Sequence, residues 1–111
     1  MRISIRVSIL KEHHNGELGY FIHPDYWITG YATEACRTLI EFGFTELDLE
    51  RIHGRCLTKN IGSKRVMEKS GLIVEGIARH EVFKWGKYED VCHLGVIRSE
   101  WLNRRVIVFT D

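Results

Sequence analysis

Trp27-Ile28-Thr29-Gly30-Tyr31-Ala32-Thr33-Glu34-Ala35 stands between a short apolar run and a strongly periodic segment. A turn that feeds a helix points several unpaired backbone N–H groups in one direction, at the positive end of the helix dipole. Such an arrangement suits a phosphate or pyrophosphate. Gly30 permits the close approach of a ligand or a backbone angle other residues resist, and Ala32 keeps the next turn uncluttered. The same residues serve equally well as a plain strand-to-helix connection, because one glycine in a turn is a weak signal and no phosphate-loop motif is matched.

Downstream of this turn, Ala32, Ala35, Cys36, Leu39, Ile40, Gly43 and Leu47 recur at helical spacing over about four turns. Upstream, Ile3, Ile5, Val7 and Ile9 alternate with Ser4, Arg6 and Ser8, the period of a strand with one buried face. Lys11 to Gly16 is polar and ends in Asn15-Gly16, which reads as a hairpin connection into a strand from Glu17 to Ile22. His13 and His14 fall in that loop as solvated residues, with no second cluster to build a metal site. Pro24 ends the strand.

Arg51 to Leu57 forms a further strand with Ile52, Gly54 and Cys56 on one side. A glycine inside a strand implies a close neighbour or a bulge at Gly54. Asn60 is a good N-cap for a second helix through Ile61, Val66 and Met67, and Gly71 suits the position just past its end. Leu72 to Phe83 and Tyr88 to Ile97 then flank Lys84-Trp85-Gly86-Lys87 as an antiparallel hairpin. A short helix from Ser99 to Arg104 and an apolar tail, Val106 to Phe109, close the chain. The order strand, strand, helix, strand, helix, strand, strand mixes crossovers with hairpins. It therefore predicts an α/β or α+β class with a mixed sheet flanked by helices.

A length of 111 residues suits one domain spanning the whole chain, 1–111, and 44% hydrophobic with 28% charged residues is ordinary globular composition. The net charge of +1 argues against nucleic acid as a main partner. Cys36, Cys56 and Cys92 are widely spaced within apolar patterns, so they read as reduced core residues of a cytoplasmic protein, without a metal-type pairing. The alternating N-terminal stretch is unlike a secretory leader or a membrane span.

Several segments together resemble a known family. Gly16-Glu-Leu-Gly-Tyr-Phe-Ile22, Tyr26-Trp27, Gly30-Tyr31-Ala32-Thr33-Glu34-Ala35, Asn60-Ile-Gly-Ser63 and Glu68-Lys-Ser-Gly-Leu72 follow one another with familiar gaps. This series resembles the GNAT superfamily of acyl-coenzyme A N-acetyltransferases, in the RimJ/RimL branch that acetylates the N-termini of ribosomal proteins. Gly86, Tyr88, Asp90 and Glu100-Trp101 fit the same branch.

The resemblance implies that Trp27, Ile28, Thr29, Gly30, Tyr31, Ala32 and Thr33 hold the pyrophosphate of acetyl-CoA through backbone N–H groups. The family pattern Q/R-x-x-G-x-G/A maps onto Trp27, Gly30 and Ala32, with Thr29 where a basic residue is common. The pantetheine arm would run beside Tyr20, Phe21 and Ile22 like an added strand, with Asn60 at its far end. Glu17 stands where some relatives carry a carboxylate that acts as a base through water. Ser63 matches the serine proposed in the RimL type to protonate the departing thiolate, and Met67 stands where many relatives have a tyrosine. Val82 occupies the place of another proposed carboxylate, and strand alternation sends neighbouring Glu81 to the opposite face.

An α-amino group has a pKa of about 8, so neutralising it at pH 7 costs about 1.4 kcal/mol, against about 4.6 kcal/mol for a lysine amine. A base therefore matters less for N-terminal substrates. Relatives carry a strand, two helices and another strand before the segment resembling Arg2 to Leu10. Their absence predicts an N-terminally truncated GNAT-like fold with an intact cofactor half and an incomplete acceptor wall. The bared edge strand predicts a homodimer, through that edge or through exchange of Val106 to Phe109.

The leading expectation is an acetyl-CoA-dependent N-acetyltransferase for an amine acceptor, a protein N-terminus above all. The alternative is a coenzyme A-binding remnant or partner subunit without independent catalysis. Phe83, Trp85, Tyr88 and Trp101 could line an acceptor pocket, but aromatic residues of a terminal hairpin are more often core.

Overall fold

The alternating first run forms strand β1 (Ile3–Leu10), paired antiparallel with β2 (Asn15–Ile22) from Ile3↔Ile22 to Leu10↔Asn15. The structure, a computed structural model, describes residues 3–22 and 31–103. The β1–β2 link differs from the expected Asn-Gly turn. Lys11–His13 make a single 3-10 turn and His14 takes the left-handed conformation at φ 51°, so Asn15 and Gly16 already belong to β2. The His14 carbonyl then accepts from Glu50 N (2.7 Å) and Arg51 N (3.3 Å), tying the loop to the following strand.

Helix α1 (Tyr31–Thr45) buries Ala32, Cys36, Ile40, Gly43 and Phe44. Ala35, expected inside, is exposed, because it lies roughly 100° around the helix from Cys36. Phe44 replaces Leu47 as the last buried helical position; the helix stops at Thr45 and Leu47 packs on the core from the loop beyond. Strand β3 (Arg51–Leu57) runs parallel to β2 through Asn15↔Arg51, Gly16↔Ile52 and Glu17↔His53.

Helix α2 (Ile61–Lys69) starts where Asn60 Oδ1 accepts Ser63 N–H at 3.1 Å. It ends at Gly71 (φ 111°), whose N–H donates to Glu68 O while Leu72 N–H donates to Met67 O, the paired bonds of a Schellman end. Both sequence-predicted helix boundaries of α2 therefore hold.

Strands β4 (Ile73–Lys84) and β5 (Lys87–Ile97) are joined by Trp85 and Gly86, at φ 53° and 78°. This is a two-residue turn whose positive angles match the twist of the strands. The sheet order is β1-β2-β3-β5-β4, with β2–β3 the parallel pair and the other neighbours antiparallel. The mixed, mostly antiparallel sheet agrees with the order of elements read from the sequence.

Leu18, Ile52, Cys92, Leu94 and Val96 face α1 and α2 and form one core with Cys36, Ile40, Phe44, Val66 and Met67. The opposite sheet face carries charged and imidazole side chains, and among the described residues no α-helix covers it. Residues 98–103 are helical. The Trp101 ring lies 5.2 Å from that of Phe44, tilted by 32°, and Arg98 donates to Leu49 O (3.1 Å) and Asp48 Oδ1 (2.9 Å), fixing this segment to the body.

Of the four aromatic residues expected in the core, Trp101 packs against it, but Phe83, Trp85 and Tyr88 are exposed. The reason is register. β3 pairs with β5 from Leu57↔Val91 onward, so the hairpin around Trp85 extends past β3, where Lys59 lies over the Trp85 ring and the aromatic side chains stay exposed. Among the described residues no helix is long and apolar enough to cross a membrane.

Candidate active site

Three ladder pairs join β2 to β3, the last being Glu17↔His53. Beyond that pair β2 continues to Ile22 on β1 and β3 continues to Leu57 on β5, so the two strands part. A cleft of about 450 Å³ opens at the divergence, lined by Ser8, Glu17, Leu18, Gly19, Arg55, Ser63 and Lys84. The structure thus brings Glu17 and Ser63, singled out from separate parts of the sequence, to the walls of one cavity.

Glu17 lies on the open sheet face. Its Oε2 is 3.5 Å from Arg55 Nε and 3.9 Å from His53 Nε2. Ser63 stands on the helix side, in the first turn of α2, and is buried. Its backbone N–H completes the Asn60 cap, while its hydroxyl bonds the Cys56 thiol, which burial pushes up to about 11. The capping role and the cleft-facing position therefore coexist. Met67, one and a bit turns further along α2, is buried against Gly54 and is no proton donor.

Asn60 Oδ1 is engaged in the cap of α2. Tyr20, Phe21 and Ile22 are in β2, paired with Ile5, Ser4 and Ile3 of β1. Tyr31, Ala32 and Thr33 form the first turn of α1, with Ala32 buried and Tyr31 exposed. Trp27, Ile28, Thr29 and Gly30 lie outside the described residues, as does the tail Val106 to Phe109. Ser70 Oγ donates to Thr33 O (3.4 Å), and Arg37 donates to Lys69 O (2.8 Å from Nη2). These bonds fix the start of α1 beside the end of α2, roughly 10 Å along α2 from Ser63.

One expectation is corrected. Glu81 does not face away from the site. The β4–β5 ladder slips between Ala78 and Val82, with His80 at φ 54°, and this bulge turns Glu81 onto the face of Glu17. There Glu81 Oε1 accepts from His93 Nε2 at 2.6 Å, and its Oε2 lies 3.9 Å from Arg55 Nη1. Arg55 consequently stands between two carboxylates.

Sequence reasoning passed over His53, Arg55, Ser8 and Lys84. The first two were within its reach, since alternation along β3 sets His53 and Arg55 opposite Ile52, Gly54 and Cys56. Ser8 and Lys84 needed the register of other strands. Among the described residues no group of three or more His, Cys, Asp or Glu side chains could hold a metal ion.

The fold and the cleft at parting strands define a class, and comparison with known proteins agrees. The profile of the acetyltransferase (GNAT) domain family matches residues 4–73, and the chain belongs to that family. It is 36% identical over 88 residues to YnaD of Bacillus subtilis, an uncharacterized N-acetyltransferase, covering 79% of this chain and 52% of that protein. It is 34% identical over 85 residues to YdaF of the same organism, a putative ribosomal N-acetyltransferase, covering 77% of this chain and 46% of YdaF. A solved variant of the spermidine N-acetyltransferase SpeG from Vibrio cholerae superposes with a TM-score of 0.81 at 26% identity, over 91% of this chain and 59% of that one. The chain spans about half the length of the curated relatives it matches.

Proposed function

We propose that the chain is an acetyl-CoA-dependent N-acetyltransferase acting on a primary amine, a protein N-terminus above all. The observation that carries this reading is the cleft at the parting of β2 and β3, with Glu17 on one wall and Ser63 on the other. The cleft fits an extended acyl-thioester arm. Leu18 to Ile22 keep β1 on one side and turn a strand edge toward the gap, the geometry of strand addition. Gly19 and Ser63 are small enough to leave the passage open.

When bound there, acetyl-CoA supplies an activated acyl carbon. Glu17 draws in the incoming ammonium group by its charge and orients the amine once a proton has left it. The Ser63 hydroxyl turns from the Cys56 thiol to donate to the departing sulfur as negative charge develops on it. The backbone N–H groups of Tyr31, Ala32 and Thr33 at the start of α1 would hold the pyrophosphate. Likeness to YdaF supports an N-terminal acceptor, and likeness to SpeG places spermidine in the same test.

Calorimetry with acetyl-CoA and colorimetric detection of free thiol, with a ribosomal-type N-terminal peptide and with spermidine, test the reading. Binding and amine-dependent thiol release are expected, with Ser63→Ala lowering release by about 10²-fold and leaving affinity for acetyl-CoA unchanged. Binding without release would replace the proposal with a coenzyme A-binding protein, and the absence of both binding and release would overturn it. Among the described residues β1 is the outer strand of the sheet, which supports a homodimer through that edge; a monomer in light scattering at micromolar concentration would refute it.

A further inference from the structure

Ser8 of β1, Glu17 of β2 and His53 of β3 are direct cross-strand partners, Ser8↔Glu17 and Glu17↔His53, so they form one row on the open face of the sheet. The row continues through Gly95 of β5, the partner of His53, to Ile73 of β4, with the Arg51 and Glu75 side chains laid over Gly95. A second cleft of about 230 Å³ lies over this row, lined by Ser8, Ile9, Leu10, Asn15, Glu17 and His53. It shares Ser8 and Glu17 with the larger cleft that holds Ser63. Glu17 is thus the partition between two cavities on either side of the last β2–β3 pair.

The orientation of His53 gives this second cleft its chemistry. His53 Nδ1 donates to Asn15 Oδ1 at 2.9 Å, which leaves the lone pair on Nε2 in the neutral ring. That nitrogen lies 3.9 Å from Glu17 Oε2. The two acceptors face each other, and Arg55, which lines the larger cleft, approaches the same Glu17 oxygen at 3.5 Å. Such a pair is satisfied by a donor with several N–H groups, and an alkylammonium ion is one. Ile9 and Leu10, both exposed, offer apolar contact for its carbon chain.

Resting on the acetyltransferase reading, we propose that this cleft takes the primary ammonium group of the acceptor and that His53 Nε2 receives its proton. The amine then attacks from the open face, across Glu17, toward an acyl carbon in the larger cleft. Its nitrogen gives one proton to His53, forms the N–C bond as the C–S bond breaks, and loses its second proton to the departing sulfur by way of Ser63. His53 returns its proton to water, so one acyl group is transferred and one proton is released.

Burial holds the imidazole below its usual value, which keeps it neutral and able to accept at pH 7. Glu17 opposes that shift, and Arg51, Glu75 and His93 are the other charged or titratable groups that act on it.

The test is an NMR titration of the 15N-histidine-labelled full chain with n-butylammonium chloride, with 1-butanol and tetramethylammonium as controls. A saturable shift of the His53 ring nitrogens and a lowered His53 pKa are expected with butylammonium alone. Equal responses to tetramethylammonium, or none, would overturn the proposal. In the thiol-release assay His53→Gln should lower kcat/KM by about 10²-fold at pH 7 and abolish the acid limb of its pH profile, with acetyl-CoA affinity unchanged. Release with an unchanged profile in His53→Gln removes His53 and leaves the acetyltransferase reading standing. Butylammonium binding without any release in the wild-type chain does the reverse.

Discussion

A Cβ placed on Gly54 would stand 3.1 Å from Met67 Sδ and 3.5 Å from Leu18 O, so α2 lies on β3 at a height that any larger residue reaches only by displacing Met67. This contact fixes how far Ser63, one turn earlier in the helix, reaches over the cleft. Gly54→Ala should cost about 1 kcal/mol, the low end for overpacking because the methionine side chain can bend away. Urea unfolding checks it, and an unchanged midpoint would show that the contact does not set the helix position.

Arg51 and Glu75 form a two-pronged ion pair (2.6 and 2.5 Å) laid across Gly95, where a Cβ would come within 2.7 Å of both side chains. The guanidinium bond holds the Glu75 carboxyl below the usual carboxylate range. A carboxyl depressed on folding stabilises above its unfolded pKa, and the contribution is lost as pH falls through the lower folded value. Both groups are partly exposed, so the pair is worth under about 1 kcal/mol. Glu75→Gln should therefore flatten the fall in stability below about pH 4.3, measured as urea midpoints from pH 7 downward. A slope equal to that of wild type would refute this account.

Asn60 Oδ1 satisfies one of the unpaired N–H groups at the start of α2. Asn60→Ala should lower stability by about 1 kcal/mol, whereas Asn60→Asp should restore it. Thermal melts of both variants decide; equal melting temperatures would remove the cap as a stabilising feature.

Burial pushes the Cys36 and Cys56 thiols up to about 11. Since the thiolate is the nucleophile, both should resist iodoacetamide at pH 8 in the folded chain and react promptly once urea unfolds it. Labelling in the native state at the rate of a free cysteine would contradict the burial argument.

Local chemistry was enough to read much of this molecule. Periodicity located β1, α1 and β3, because each is a one-faced element whose pattern is written in consecutive residues. Asn60 and Gly71 bounded α2 because caps depend on residue type at one position. Glu17 and Ser63 were legible by resemblance, and Gly54 by the oddity of glycine in a strand. Errors arose where geometry departed from regular spacing: His14 absorbed the reversal expected at Asn15-Gly16, and a bulge carried Glu81 to the face it was expected to avoid. The exposed Phe83, Trp85 and Tyr88 followed from strand overhang, which no local pattern encodes.

The sequence by itself determined the elements, their order and the mixed sheet, since these rest on short-range periodicity and on the stop signals between runs. Only the tertiary structure decided that β2 and β3 part directly after Glu17↔His53, because divergence is a property of two strands and their other neighbours. It also set His53 beside Glu17 and Arg55 between two carboxylates. Those relationships depend on register across strands separated by tens of residues, and register is fixed by how the helices and the core pack, not by any single stretch of chain.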